Sequence, residues 1–410
     1  MKISIIVIFF SIFCCHSSSS LNNLDSLVIE GAIDRTDLYF NKIFNKNVGL
    51  VVNSSSYIKN THLVDTLLEK KVNIVSIFSP EHGFKGNHEA GKKIGNNIYN
   101  GIPVFSLYGK TKKPSNLSLE NIDVIIFDLQ DVGVRFYTYI STLHYVMEAC
   151  AENNITLIVL DRYNPHMNSV DGPILNVAFT SFVGMHPVPV IYGMTIGEYA
   201  LMINSEGWLK DSLYCNLEVI PLSKGQIINN NNSFNSTKNF ILKRPPSPNL
   251  KTTKSINLYP TLCFFEGTTI SIGRGTDNPF ELIGASFFNN KDFVNTLYLN
   301  KPIVNFIPRS RTESSNPKFI NQQCVGIDCT FISNNILGKI EIGIIVDIYN
   351  ISINKNITFF NSFFKKLSGN ADLEKKISEG WSASQIKESW KMDLISFKKI
   401  REKYLIYSRK

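Results

Sequence analysis

Four apolar runs of strand length punctuate the N-terminal half of the chain: VGLVVN (48–53), VNIVSIF (72–78), DVIIFDL (123–129) and TLIVLD (156–161). A helical pattern, THLVDTLLEKK, separates the first two, and another, STLHYVMEACAENN, separates the last two. Runs of Val, Ile and Leu without polar alternation suit strands buried on both faces. Such strands, separated by amphipathic helices, build a parallel sheet with helices on both sides. The pattern predicts an α/β fold with a Rossmann-like parallel sheet over residues 29–243. A dinucleotide site is not expected, because VVNSSSYIKN stands where a GxGxxG turn would follow the first strand. The proline-set stretch RPPSPNL (244–250) marks a boundary, and residues 244–410 read as a second, smaller α/β domain. In that half KIEIGIIVDIYN (339–350) reads as a strand, and helical patterns run from Ile357 to the end. The Asn-rich tract INNNNSFNSTKN (228–239) reads as a polar surface loop.

At 410 residues and 43% hydrophobic, the chain has enough apolar material for two cored domains. Its first twenty residues, MKISIIVIFFSIFCCHSSSS, place one Lys before an apolar run too short to span a bilayer comfortably. They read as a secretory signal, which predicts a periplasmic or secreted protein. Cys14 and Cys15 stand where an acylated cysteine would, so a lipid anchor is the alternative, although Phe13 is poorly suited to precede a cleavage site. The formal charge of +8 becomes 41 − 34 = +7 without the leader. This excess includes Lys-rich clusters of a C-terminal helical region rather than an aromatic-interleaved stripe, so nucleic acid is not an expected partner. Of seven cysteines, Cys150, Cys215, Cys263, Cys324 and Cys329 lie beyond the leader. Cys324 and Cys329 have the option of pairing in an oxidising compartment; buried thiols are expected for the rest.

Chemistry-bearing residues gather after the strand-like runs, where open α/β sheets bind their ligands. SPEHGFKGNHEAG (79–91) brings Glu81 and His82, with His88 and Glu89 further on. FDLQDVGVRFYTYIST (127–142) holds Asp128, Gln130, Asp131, Arg135, Tyr137 and Tyr139, and LDRYNP adds Asp161, Arg162 and Asn164. In the second half, EGTTISIGRGTDNPFELIGA (266–285) sets Glu266, Arg274, Asp277 and Glu281 among glycines. Structural roles compete with functional ones. Asp128 would also serve as a helix cap, Arg135 as a partner for Asp131, His82 as a donor to a backbone carbonyl, and the tyrosines as core. Glu81 stands apart, since a carboxyl between Pro80 and an apolar, glycine-bearing turn is placed to keep and deliver a proton. No HExxH or HxH spacing supports a metal site, and no GxSxG supports an α/β-hydrolase.

Taken in order, PEHGF, SLYGKTKKPS, FDLQDVGVRFYTYISTL, LDRYNP, SFVGMHPVPVIYGMTIGE, PPSPNL, YPTLCFFEGTTISIGRGTDNPFELIGA and ISFKKIREKYLIY resemble the bacterial exo-β-N-acetylmuramidases of the NamZ (YbbC) type. The resemblance covers nearly everything after residue 45. It departs locally at Tyr163, where the family more often has Pro, and at HMN (166–168), where it tends to have a glycine turn. It implies a glycoside hydrolase that needs no cofactor and removes N-acetylmuramic acid from the non-reducing end of peptidoglycan fragments. A Rossmann-like domain and a smaller α/β domain would flank the cleft.

Glycosidic hydrolysis needs an acid for the leaving oxygen and commonly a second carboxylate. Glu81 suits the first role. Asp128, Asp131, Glu266 and Glu281 are all available for the second, and if the sugar's own N-acetyl group attacks, an acid or His82 would only orient it. The lactyl carboxylate that distinguishes muramic acid calls for a guanidinium fork. Arg135, Arg162 and Arg274 are candidates, with Arg135 and Arg274 favoured for their Gly- and aromatic-rich surroundings. Tyr108, Tyr137 and Tyr139 are either a stacking wall for the sugar or core. A non-catalytic glycan-binding exported protein, and an amidase or deacetylase acting on the same fragments, remain alternative readings.

Overall fold

The computed structural model describes residues 31–86, 97–223, 244–293, 302–332 and 335–409. The expected leader, His88 and Glu89, and the Asn-rich tract lie outside the described residues. Within them, each of the four apolar runs forms a strand of one seven-stranded sheet. Its strands are β1 (Asn47–Val52), β4 (Asn73–Ser79), β5 (Asn97–Tyr99), β6 (Ile102–Ser106), β7 (Val124–Asp128), β8 (Thr156–Leu160) and β9 (Leu217–Ile220). A small hairpin, β2 (Tyr57–Ile58) and β3 (Thr61–His62), follows β1.

The sheet runs β5-β6-β4-β1-β7-β8-β9, and all its pairs are parallel except β5 with β6. Counted along the chain, the six parallel strands stand third, second, first, fourth, fifth, sixth, which is the doubly wound order. Burial explains why the runs lack polar alternation. Val51, Phe127, Leu157 and Val159 enter the core on one face, while Leu50, Val52, Ile126, Ile158 and Leu160 enter a separate core on the other. Each such side chain, removed from water, stabilises the fold by roughly 1.5–3 kcal/mol.

The second, smaller domain contains a three-stranded antiparallel sheet in the order β10 (Leu282–Ala285), β12 (Cys324–Asp328), β11 (Ile303–Phe306). One expectation fails here. Residues 339–350 do not form a strand; Ile342–Asn354 is a helix. Its Ile residues are β-branched, but Ile344, Ile345, Ile348 and Ile351 fall on one buried helical face, and a short apolar run does not by itself distinguish the two states. Cys324 and Cys329 are free thiols, as are the other described cysteines. Most of the segment joining them is the extended strand β12, which separates their Cα atoms by about 15 Å, far beyond disulfide reach.

The chain's end returns to the first sheet. The Tyr407 hydroxyl donates to Asp161 at 2.6 Å, just past β8, and Arg409 pairs with the fully buried Glu198. The last residues are therefore part of the first domain's packing, although they follow the whole of the second in sequence.

Candidate active site

Strand β4 delivers its last residue, Ser79, to the carboxyl edge of the sheet, and the chain then turns sharply. The Gly83 N–H donates to the Pro80 carbonyl at 3.0 Å. Inside that turn His82 takes φ 72° and Gly83 φ 76°. Glycine adopts this left-handed conformation freely, whereas histidine does so at a cost of about 1–2 kcal/mol. Backbone strain of this kind recurs where a side chain must be aimed. Here it accompanies two buried side chains that line a cavity, Glu81 at 9% exposure and His82 at 8%. The Thr138 hydroxyl donates to Glu81 Oε2 at 2.7 Å. Thr138 precedes the helix Tyr139–Glu152, so the loops after β4 and β7 fix each other.

The cavity has a volume of about 470 Å³ and is walled by both domains. From the first come Glu81, His82, Tyr108, Lys112, Tyr137, Thr138 and Phe182; from the second come Tyr259, Cys263, Glu266, Arg274, Phe280, Phe363 and Leu367. Ser247, Asn249 and Leu250, from the proline-set connection, complete it. That connection is pinned, because the Tyr137 and Tyr139 hydroxyls both donate to the Pro246 carbonyl, at 2.8 and 3.2 Å.

The second domain contributes an ion cluster. Arg274 Nε donates to Glu266 Oε1 at 2.6 Å, and the guanidinium lies 4.9 Å from the centre of the Phe280 ring. Beneath them Lys318 Nζ donates to the carbonyls of Phe265, Thr268 and Ile270 at 2.8, 2.7 and 3.0 Å. Burial works against the charge on Glu266, but Arg274 and then Lys318 outweigh it and hold its carboxyl below the usual range. Lys318 itself is pulled down to about 8, chiefly by burial. A smaller cavity of about 260 Å³ shares the Glu266 and Arg274 wall and is lined further by Ser271, Ser314, Asn316 and Lys318. Arg274 therefore faces both spaces.

Of the candidates read from the sequence, Glu81, His82, Tyr108, Tyr137, Glu266 and Arg274 line this cavity, whereas Asp128, Asp131, Arg135, Tyr139, Arg162 and Glu281 do not. Asp128 is fully buried and bound by Arg162 through two contacts, Nε to Oδ1 at 2.7 Å and Nη2 to Oδ2 at 2.5 Å; the pair ties β7 to the end of β8. Asp131 accepts from the Gly133 N–H at 2.6 Å and from the Tyr192 hydroxyl, and burial pushes its carboxyl up to about 6. Arg135 has no exposure and does not pair with Asp131. Its guanidinium donates to the carbonyls of Pro173 and Val188 at 2.8 and 2.7 Å, and to those of Leu367 and Ser368 at 2.9 and 2.8 Å. It clamps the two domains behind the cavity wall, so the expected lactyl-reading role gives way to a structural one. Tyr139 holds Pro246 and Asn53 instead of stacking on a sugar. Glu281 accepts from Thr252 at the start of the helix Thr253–Leu262.

Residues 48–254 match the family model described as exo-beta-N-acetylmuramidase NamZ, N-terminal, and residues 257–407 match its C-terminal counterpart. The chain belongs to the NamZ exo-β-N-acetylmuramidase family. It is 40% identical over 387 residues to the peptidoglycan beta-N-acetylmuramidase NamZ of Bacillus subtilis, covering 90% of this chain and 89% of that one. Two crystal structures of DUF1343 family proteins from Bacteroides fragilis share its fold. One has a TM-score of 0.80 and 38% identity, covering 93% of this chain and 99% of that one; the other has 0.76 and 27%, covering 93% and 100%. In this NamZ family chain, the reading of single residues missed Thr138, Cys263, Phe280 and Leu367. Thr138 was within reach, being the one hydroxyl between two tyrosines of a quoted motif. Leu367 carried no signal, since only the fold brings it to the wall.

Proposed function

We propose that this chain is an exo-acting β-N-acetylmuramidase that hydrolyses non-reducing terminal N-acetylmuramic acid from peptidoglycan fragments. The observation that carries the reading is that one cavity brings together two carboxyl groups, Glu81 and Glu266. Glu81 accepts a hydrogen bond from the Thr138 hydroxyl. Glu266 is held ionised by Arg274 and Lys318. Glycoside hydrolysis asks for a division of roles, with one carboxyl to protonate the departing oxygen and one negative group to answer the positive charge that develops at the anomeric carbon. In this reading Glu81 is the acid and Glu266 the standing charge. His82, next to Glu81 in the lining, orients the reacting sugar. Arg274 donates Nε to Glu266 and directs its terminal amino groups to the lactyl carboxylate, the group that separates muramic acid from glucosamine.

Walls drawn from two domains and from a pinned connection favour action at a chain end over a groove that accepts internal sugars. Purified protein should release chromophore from an N-acetylmuramic acid glycoside and not from the N-acetylglucosamine analogue. On glycans beginning with N-acetylmuramic acid, that sugar should appear free from the outset. An early ladder of mid-length products would show internal cleavage, and an inert protein that still binds the glycans would show a binding module.

Export belongs to the same proposal and rests on the leader from Met1 to Ser20. Cell fractionation should find the mature chain outside the cytoplasm without that leader, and an intact chain in the cytosol would defeat the idea. Metabolic labelling with a fatty acid would decide between free and lipid-anchored forms.

A further inference from the structure

The larger cavity is lined by an aromatic cluster as well as by the charged wall. Ser181 and Gly184 exchange two backbone hydrogen bonds of 2.9 Å, closing a two-residue turn whose tip is Phe182 and Val183. Both residues line the cavity and both are half-buried. The turn does not stand alone. Tyr145, from the helix Tyr139–Glu152, lies nearly parallel to the Phe182 ring, with centroids 6.3 Å apart and 21° between planes. Tyr108, just beyond β6, meets the same ring edge-on at 5.9 Å, and Lys112 Nζ lies 4.9 Å from its centre. Behind the turn, a Cβ on Gly184 would come within 3.6 Å of Arg135, the side chain that clamps the two domains. A large aromatic ring is thus fixed from several sides and still presented at the cavity.

Resting on the proposed muramidase reading, we infer that Phe182, with Tyr108 and Lys112, forms the subsite for the leaving sugar, an N-acetylhexosamine without a lactyl group. The geometry of a pyranose supports this assignment. Equatorial substituents on C1 and C3 diverge, so a muramic acid whose C3 lactyl arm reaches Arg274 sends its C1 oxygen, and the sugar attached there, away from the charged wall. Glu81 lines the same cavity as both the charged wall and the aromatic cluster. A flat ring complements the C–H face of a pyranose, and Tyr108 and Lys112 bring hydrogen-bonding groups for its hydroxyl and acetamido edges. The charged wall recognises the terminal N-acetylmuramic acid, and the aromatic cluster recognises the sugar that departs from its C1.

Product inhibition separates the two subsites. In wild-type protein both free N-acetylmuramic acid and free N-acetylglucosamine should compete with the MurNAc-GlcNAc disaccharide. Phe182→Leu keeps the apolar bulk and loses the flat face. It should weaken inhibition by N-acetylglucosamine about tenfold and raise KM for the disaccharide similarly, and leave inhibition by N-acetylmuramic acid within twofold. Phe182→Tyr keeps the ring and should retain most of the inhibition by N-acetylglucosamine, and thermal unfolding of Phe182→Leu within a few degrees of wild type controls for folding. An unchanged N-acetylglucosamine constant in Phe182→Leu, or an equal loss for both products, would overturn the assignment. A wild-type protein that releases no N-acetylmuramic acid from the disaccharide would instead defeat the muramidase reading on which it rests.

Discussion

Glu81→Gln is expected to fold normally and to lose about 10²- to 10⁴-fold in kcat on the MurNAc-GlcNAc disaccharide, with KM nearly unchanged. The amide keeps the shape of the carboxyl and can still accept the Thr138 hydroxyl bond of 2.7 Å, so the turn after β4 has no reason to move. What it cannot do is hand a proton to the departing oxygen. That difference sets a second test, because an aryl aglycone acidic enough to leave as its anion needs no proton. On such a glycoside the variant should recover most of the lost rate. A purely structural role for Glu81 would depress both substrates equally, and an unchanged kcat on the disaccharide would remove Glu81 from the mechanism. Thermal unfolding of the variant within a few degrees of wild type is the control that makes either outcome interpretable.

The same contrast between shape and chemistry explains how far the amino-acid order could be read. Strands β1, β4, β7 and β8 announce themselves because burial on both sheet faces demands largely apolar runs. Glu81 was legible for a local reason, being fixed by its own neighbours Pro80, His82 and Gly83. Arg135 was misleading for a non-local one. Its four carbonyl partners come from residues 173, 188, 367 and 368, and no window around position 135 contains them. Asp128 and Arg162 misled in the same way. Each stands at the end of a strand where ligands bind, and only the adjacency of β7 and β8 turns two apparent site residues into one buried pair. Glu266 and Arg274, eight residues apart in one glycine-rich motif, were legible as a pair of charges. That the pair shares a cavity with Glu81 is a fact of domain packing.

Arg274→Lys should separate recognition of the lactyl group from everything else the arginine does. Lysine retains a positive charge beside Glu266 and sacrifices the planar fork that a carboxylate can meet with two parallel hydrogen bonds. Losing one charge-assisted bond of about 1.5–3 kcal/mol corresponds to a fall of roughly 10- to 10²-fold in kcat/KM on muramic acid glycosides. Whatever residual rate exists on the N-acetylglucosamine analogue should be unaffected, so the selectivity ratio carries the result. Arg274→Met tests the electrostatic half of the role. Burial already opposes ionisation of Glu266, and without Arg274 Lys318 alone among the described residues remains to counter it, so the Glu266 carboxyl should move up. If an ionised Glu266 is needed for turnover, the acid limb of the pH–rate profile should shift to higher pH in Arg274→Met and much less in Arg274→Lys, which keeps the cation. Equal losses on both glycosides would show that Arg274 merely supports the wall, and an acid limb that stays in place in Arg274→Met would show that turnover does not depend on the charge at Glu266.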